Sequence, residues 1–342
     1  MLLLREKTMR DRLRRATKWL SIVTAVGMFA VLVMGATVTV TGSAEGCGTS
    51  WPLCNGQFIP DFAISTAIEY SHRAVTGVEG ILILGTAIGA LGFWRKRAEI
   101  RILVPLMVIF LLLQAALGAL TVIYPNWWGR EGILALHFGI SLIAFATTLL
   151  TALLIVGMGN GIDALRDRVV PVSIRWVTWG LAIYTYGVVY LGAYIRHTDA
   201  SLACLDWPLC QGSVFPGFTG PVGTVFSHRL AAVILTVGVG FLTLWCWRVR
   251  ATRPDLAWVS GIAVVTLLGQ SATGAAVVFT RLSLFSSLGH SAVVTLYSGA
   301  LTYLCLNVLP RPRNVRGALH TPATSVSAAG RYPAGTTGAR IG

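Results

Sequence analysis

Charge is scarce in this chain. Asp, Glu, Lys and Arg together make up 12% of its 342 residues, and only 13 positions are acidic. With 55% hydrophobic residues and a mean hydropathy of +0.71, that scarcity excludes an ordinary soluble globular domain. A small-residue cleavage site of the A-x-A kind is also lacking before the first apolar stretch, so a retained first helix is expected. Clustered metal ligands are few as well. Beside the histidines described below stands a single carboxylate, too little for a zinc or copper centre.

What is present is a series of apolar stretches long enough to cross a bilayer. The reading places eight, near residues 19–41, 63–93, 101–124, 132–157, 174–195, 222–247, 257–280 and 283–308. The expected fold class is an all-α integral membrane protein, eight transmembrane helices arranged as two parallel four-helix-bundle repeats. The basic residues divide steeply between alternate sides. Twenty-two fall on the side that holds residues 1–18, the connections after the second, fourth and sixth helices, and the tail. Three (Arg130, Arg196 and Arg281) fall on the other. The positive-inside rule then puts both termini in the cytoplasm of a multi-pass plasma-membrane protein. The net charge of +14 is a matter of topology and contact with anionic lipid, not of nucleic-acid binding.

The chain says the same thing twice. Cys47-Gly-Thr-Ser-Trp51-Pro52-Leu53-Cys54 is followed by Ser71-His72-Arg73, and Cys204-Leu-Asp-Trp207-Pro208-Leu209-Cys210 by Ser227-His228-Arg229. Trp51/Trp207, His72/His228 and Gln114/Gln270 share an offset of 156, and His137/His290 an offset of 153. Four helices return the chain to its starting side, so the halves are expected to be parallel. The expected division is a basic N-terminus at 1–18, a first repeat at 19–157 and a linker at 158–173. A second repeat at 174–308 and a disordered tail at 309–342, which includes His320, complete it.

His72, His137, His228 and His290 each lie shortly after the start of a helix that enters from the cysteine-loop side. All four imidazoles are therefore expected at one depth. A single membrane histidine is often just a helix–helix hydrogen bond. Four at matched depth, two per repeat, point instead to one bis-histidine haem-type site in each half. Arg73 and Arg229 either pair with haem propionates or snorkel to headgroups. Glu69 precedes His72 by three residues, on the same helix face, whereas its counterpart is Val225. That asymmetry suggests chemistry in the first half and a permanent cofactor in the second, Glu69 being either catalytic or a partner that orients an imidazole. Cys47/Cys54 and Cys204/Cys210 read as loop disulfides, with free thiols the other reading.

Glu69-Tyr-Ser-His72-Arg73, the paired loop cysteines, His137 and the set His228/His290 together resemble the haem A synthases of cytochrome oxidase assembly, in a version like that of actinobacteria. The likeness covers about residues 15–310. It implies oxidation of the C8 methyl of haem O to a formyl group, giving haem A. It further implies haem b on His228 and His290, substrate haem near His72 and His137, and Glu69 as a catalytic carboxylate. A haem O synthase and oxidase assembly proteins are the partners it suggests. The competing class is a bis-histidine dihaem cytochrome b that carries electrons from quinol without altering either haem.

Overall fold

The computed structural model describes residues 2–127, 129–157 and 165–310, with side chains from Thr8 onward. Expectations for the rest of the linker and for the tail beyond 310 lie outside these residues. Among the described residues the chain forms eight α-helices and one short 3₁₀ turn, Ala200–Leu202. The helices are α1 Leu2–Val40, α2 Ile64–Trp94, α3 Ala98–Ile123 and α4 Arg130–Gly157, then α5 Val172–His197, α6 Gly220–Arg248, α7 Pro254–Phe279 and α8 Leu284–Asn307.

Seven helices fall within three residues of their expected ends. The first does not: α1 begins at Leu2, not near 19, and runs 39 residues without a break. The reason is local. Residues 2–18 are rich in Leu, Arg, Lys, Met and Glu, with no Gly or Pro to stop a helix. At 1.5 Å per residue α1 is about 58 Å long, roughly twice the hydrocarbon thickness. Its exposed basic turn, residues 8–16, therefore extends past the apolar zone.

Among the described residues six helices are long and apolar enough to cross a membrane, and the protein is a membrane protein. α5 and α8 fall short of that measure, for a reason visible in the packing. α5 lies against α4, and α8 against α1 and α4, so both helices sit where the halves meet. Helix contacts there tolerate small and hydroxylated residues that lipid would not favour. Neighbour relations repeat between the halves: α1–α2, α3–α4 and α1–α4 in the first, α5–α6, α7–α8 and α5–α8 in the second. Each half also has its own apolar core. One is built around Met28, Ile83, Ile100, Met107 and Ile155, the other around Val239, Leu242, Leu256, Leu301 and Leu304.

The exterior is apolar in long helical stripes. On α2, Val78, Ile81, Leu84, Ile88 and Leu91 are exposed while Glu79, Ile83, Thr86, Ala87 and Ala90 face inward. Exposed Trp176, Trp247 and Trp258 lie near helix ends on the basic side, and exposed Trp19 lies at the start of the apolar part of α1, where an interfacial belt is expected. Not every basic residue on that side is solvated. Arg166 is buried against Glu99 at 2.9 Å, and Arg253 against Asp255 at 2.8 Å and the Asn307 carbonyl at 2.8 Å. These pairs staple helix ends together, a use the charge count did not reveal.

Candidate functional site

Each cysteine pair closes a small loop on the side opposite the basic one. Disulfides join Cys47 to Cys54 and Cys204 to Cys210, as expected. Cys246 and Cys305 are free and buried in their helices. Both loops have a cis Trp–Pro bond, Trp51–Pro52 and Trp207–Pro208. Each ends in a two-residue turn with positive φ at both positions, Asn55-Gly56 and Gln211-Gly212. That conformation is why glycine stands second in both copies.

Arg73 and Arg229 fasten these loops to their helices. Arg73 Nη1 donates to the carbonyls of Ser50 (2.7 Å) and Leu53 (2.6 Å). Arg229 donates to the carbonyls of Leu209 and, at 3.2 Å, Cys204. Neither guanidinium simply reaches for lipid. The half-specific carboxylate completes the first clamp: Glu69, 3% exposed, accepts Arg73 Nη2 at 2.5 Å and the Cys47 amide at 2.8 Å. Its partners are thus the arginine and the disulfide loop, with no hydrogen bond to His72.

The second loop has its own carboxylate. Asp206 accepts the amides of Gln211 and Gly212, both at 2.7 Å, and the Gly212 bond does most to hold it below the usual carboxylate range. A depressed carboxylate gives its full contribution at neutral pH and loses it as pH falls through the lowered value. The protection factors of the Gln211 and Gly212 amides, observed exchange referred to the intrinsic rate at the same pH, are therefore expected to fall on acidification. Asp206→Ala should show the same loss of protection at neutral pH, and equal protection in both forms would refute the point.

The four histidines sit six to eight residues after the first residue of their helices, about 9–12 Å along the axis, in line with a common depth. His72 lies close enough to His137 to interact electrostatically, and His228 to His290, which pairs them by half. Each imidazole leaves part of its surface uncovered. Each is also backed by a glycine of the preceding helix. A Cβ on Gly35, Gly118, Gly192 or Gly274 would lie 3.3, 3.2, 2.8 or 3.2 Å from Cε1 of His72, His137, His228 or His290 respectively. Gly35/Gly192 and Gly118/Gly274 repeat at offsets of 157 and 156. The first of these pairs is a signal that sequence reasoning passed over.

The halves differ in how they hold the rings. His290 is bonded at both nitrogens: Gln270 Nε2 lies 3.0 Å from Nε2, and Thr273 Oγ1 lies 3.1 Å from Nδ1. An amide nitrogen only donates, so Nε2 accepts and the proton rests on Nδ1, facing the threonine hydroxyl. Thr273 in turn donates to the Gln270 carbonyl at 3.0 Å. The position equivalent to Thr273 is Leu117, and Nδ1 of His137, like that of His72 and His228, is buried without a partner. Sequence reasoning also missed His197, the last residue of α5. It lies near His137, Arg130 and Glu131, brought there by packing between the halves. Its repeat counterpart, Val40, gives no hint of it.

Neutral imidazoles in facing pairs, orphaned ring nitrogens, uncovered ring edges and the absence of a third metal-binding group suit a planar iron macrocycle better than a bare ion. Among the described residues no cluster of three or more His, Cys, Asp or Glu gathers to hold one. Fold and site define a helical membrane protein with a duplicated pair of intramembrane histidine sites. The model of the cytochrome oxidase assembly protein family matches residues 18–302. A haem A synthase of Geobacillus kaustophilus is 38% identical over 323 residues, covering 92% of this chain and 99% of that one. Those of Halalkalibacterium halodurans (38%, 89% of this chain and 100% of that one) and Symbiobacterium thermophilum (40%, 84% and 93%) are similar to it in the same way. The chain belongs to this family of cytochrome oxidase assembly proteins.

Proposed function

We propose that this protein is a haem A synthase, oxidising the C8 methyl of haem O to a formyl group. Haem O binds as substrate between His72 and His137, and haem b is the resident group between His228 and His290. The observation that carries this division is the unequal support of the rings. His290 has its tautomer set by Thr273, which leaves the Nε2 lone pair for a metal once the Gln270 amide moves aside, the usual arrangement for a permanent metal ligand. His137, at the matching position, has no such partner, and since His228 has none either the contrast is that of His290 with its own counterpart. A bound haem b supplies one-electron redox chemistry.

The chain's own residues do the rest. The Cys47 amide and Arg73 fix the orientation of Glu69 at the level of His72. Glu69 is the catalytic carboxylate, accepting a proton or holding a water as the methyl group is oxidised. Arg73 and Arg229 hold the disulfide loops as lids. A guanidinium has five N–H donors, so each retains some for a haem propionate. Both repeats lie parallel in the plasma membrane, spanning it eight times with both termini cytoplasmic. A lipid-soluble haem then reaches its site laterally, from a haem O synthase, and haem A passes on to the oxidase.

The test is co-expression with a haem O synthase, followed by extraction of non-covalent haems for chromatography and mass spectrometry. Haem A or hydroxylated haem O beside haem b is expected. Two equivalents of haem b with haem O untouched would favour a dihaem electron carrier instead. Glu69→Gln should retain haem b and stall at haem O or the alcohol. Normal haem A output from that variant would end the catalytic role of Glu69.

A further inference from the structure

α2 carries a second carboxyl group that the chemistry above leaves unused. Glu79 lies seven residues from His72, two turns further from the cysteine loops on the same face. It is 2% exposed, and its Oε1 is buried with no hydrogen-bond partner. α1 makes room for it. A Cβ on Gly27 would stand 2.1 Å from Glu79 Oε2, so any other residue there would collide with the carboxyl. Carboxyl groups kept at membrane depth are costly and mark proton or ion movement. The equivalent residue in the second half is Leu235, packed in an apolar core.

The seam between α1 and α2 stays polar from Glu79 to the basic side. The Thr24 and Thr86 hydroxyls are 2.8 Å apart across the helices, and Thr24 also lies 3.4 Å from the Leu82 carbonyl. Ser21 and Thr17 follow, both buried, with Thr17 against Gly89. At the repeat offsets the second half has Leu181 for Thr24, Leu242 for Thr86 and Ile174 for Thr17, keeping a hydroxyl only at Thr178. Beyond Lys18 on α1 and Arg73 on α2, Glu79 is the sole acidic or basic side chain of the two helices. One half has a carboxyl and a line of hydroxyls leading away from its histidines, and the other has Leu and Ile.

We propose that Glu79 is the proton-exchange group of the substrate half, linked by Thr86, Thr24, Ser21 and Thr17 to the basic side. This rests on the haem O reading, in which oxidation of a methyl group releases protons at the His72/His137 level. A proton leaves an oxygen there, its bonding pair remaining on that oxygen, and a new O–H bond forms at Glu79 Oε1. The proton already on the carboxyl departs from Oε2 toward the Thr86–Thr24 pair. Water bridges the gaps too long for direct contact. No electrons pass through Glu79.

The experiment uses the full chain co-expressed with a haem O synthase, as wild type, Glu79→Gln, Glu79→Leu and Thr24→Val/Thr86→Val. Haem A output should fall on the order of 100-fold in both Glu79 variants while haem content and optical spectra stay unchanged. The leucine variant copies Leu235 of the other half, so it keeps the question answerable if the glutamine folds poorly. Reduced-minus-oxidised infrared spectra should show a deuterium-sensitive carboxyl band in the wild type that Glu79→Gln removes. The double threonine variant should keep the band and slow turnover several-fold. Wild-type haem A output from either Glu79 variant, or an infrared difference unchanged by Glu79→Gln, overturns the proposal. A wild-type chain that makes no haem A would fail at the earlier step, before any variant is compared.

Discussion

Gly192→Ala is expected to cost the C-terminal half its haem while the N-terminal half keeps its own. The new methyl would stand 2.8 Å from Cε1 of His228, the tightest of the four ring–glycine contacts and closer than a Cβ normally comes to any heavy atom. Neither side can give easily, because the ring is held between helices and the glycine is part of the α5 backbone. Overpacking of this kind typically costs about 1–3 kcal/mol. Here the strain falls on the angle at which an imidazole meets a metal. The outcome to look for is a bis-histidine optical signal at half strength, with the extracted haem identifying the site lost. Gly35→Ala is the matching change in the first half, at 3.3 Å from His72, and should be milder. Full haem content in Gly192→Ala would mean that the contact is incidental.

Arg73→Met should destabilise the protein far more than Glu69→Val, although each change breaks the same ion pair. The pair is nearly closed to water, with side chains 13% and 5% exposed. Removing the arginine leaves Glu69 with only the Cys47 amide, frees the Ser50 and Leu53 carbonyls, and strands a buried carboxylate. Losses of about 3–5 kcal/mol are typical when one partner of a buried pair is removed. Removing the glutamate instead gives what the second half already has, an arginine held by loop carbonyls above a valine. Thermal unfolding in detergent should therefore separate the two variants widely, while both lose haem A output. Equal midpoints would show that the loop clamp contributes little.

Helix positions, the duplication and the histidine pairing were legible in the sequence because each leaves a long or repeated trace. Apolar runs of bilayer length and a motif kept at an offset of 156 need no tertiary knowledge. Arg73 and Arg229 were harder to read, because their acceptors are backbone carbonyls in loops whose path depends on a disulfide and two positive-φ residues. The ring–glycine contacts needed the antiparallel register of neighbouring helices, in which Gly35 meets His72 and Gly27 meets Glu79. His197 reaches the N-terminal half only through packing of α4 on α5. Arg166 and Arg253 counted as inside charges, yet fold inward, Arg166 to Glu99 of a distant segment and Arg253 to the neighbouring Asp255 and the remote Asn307 carbonyl.

The Gln270–His290 contact bears on timing. The nitrogen that Gln270 occupies is the one whose lone pair an incoming metal needs, and the amide must swing aside before coordination. A ring satisfied at both ends can wait in a finished fold, the unpartnered Gln270 Oε1 being the remaining cost, so on the haem b reading proposed above the C-terminal half is able to mature before its cofactor is delivered. Gln270 then works as a placeholder: it sets how quickly the site accepts its cofactor and leaves the choice of cofactor to the rest of the cleft.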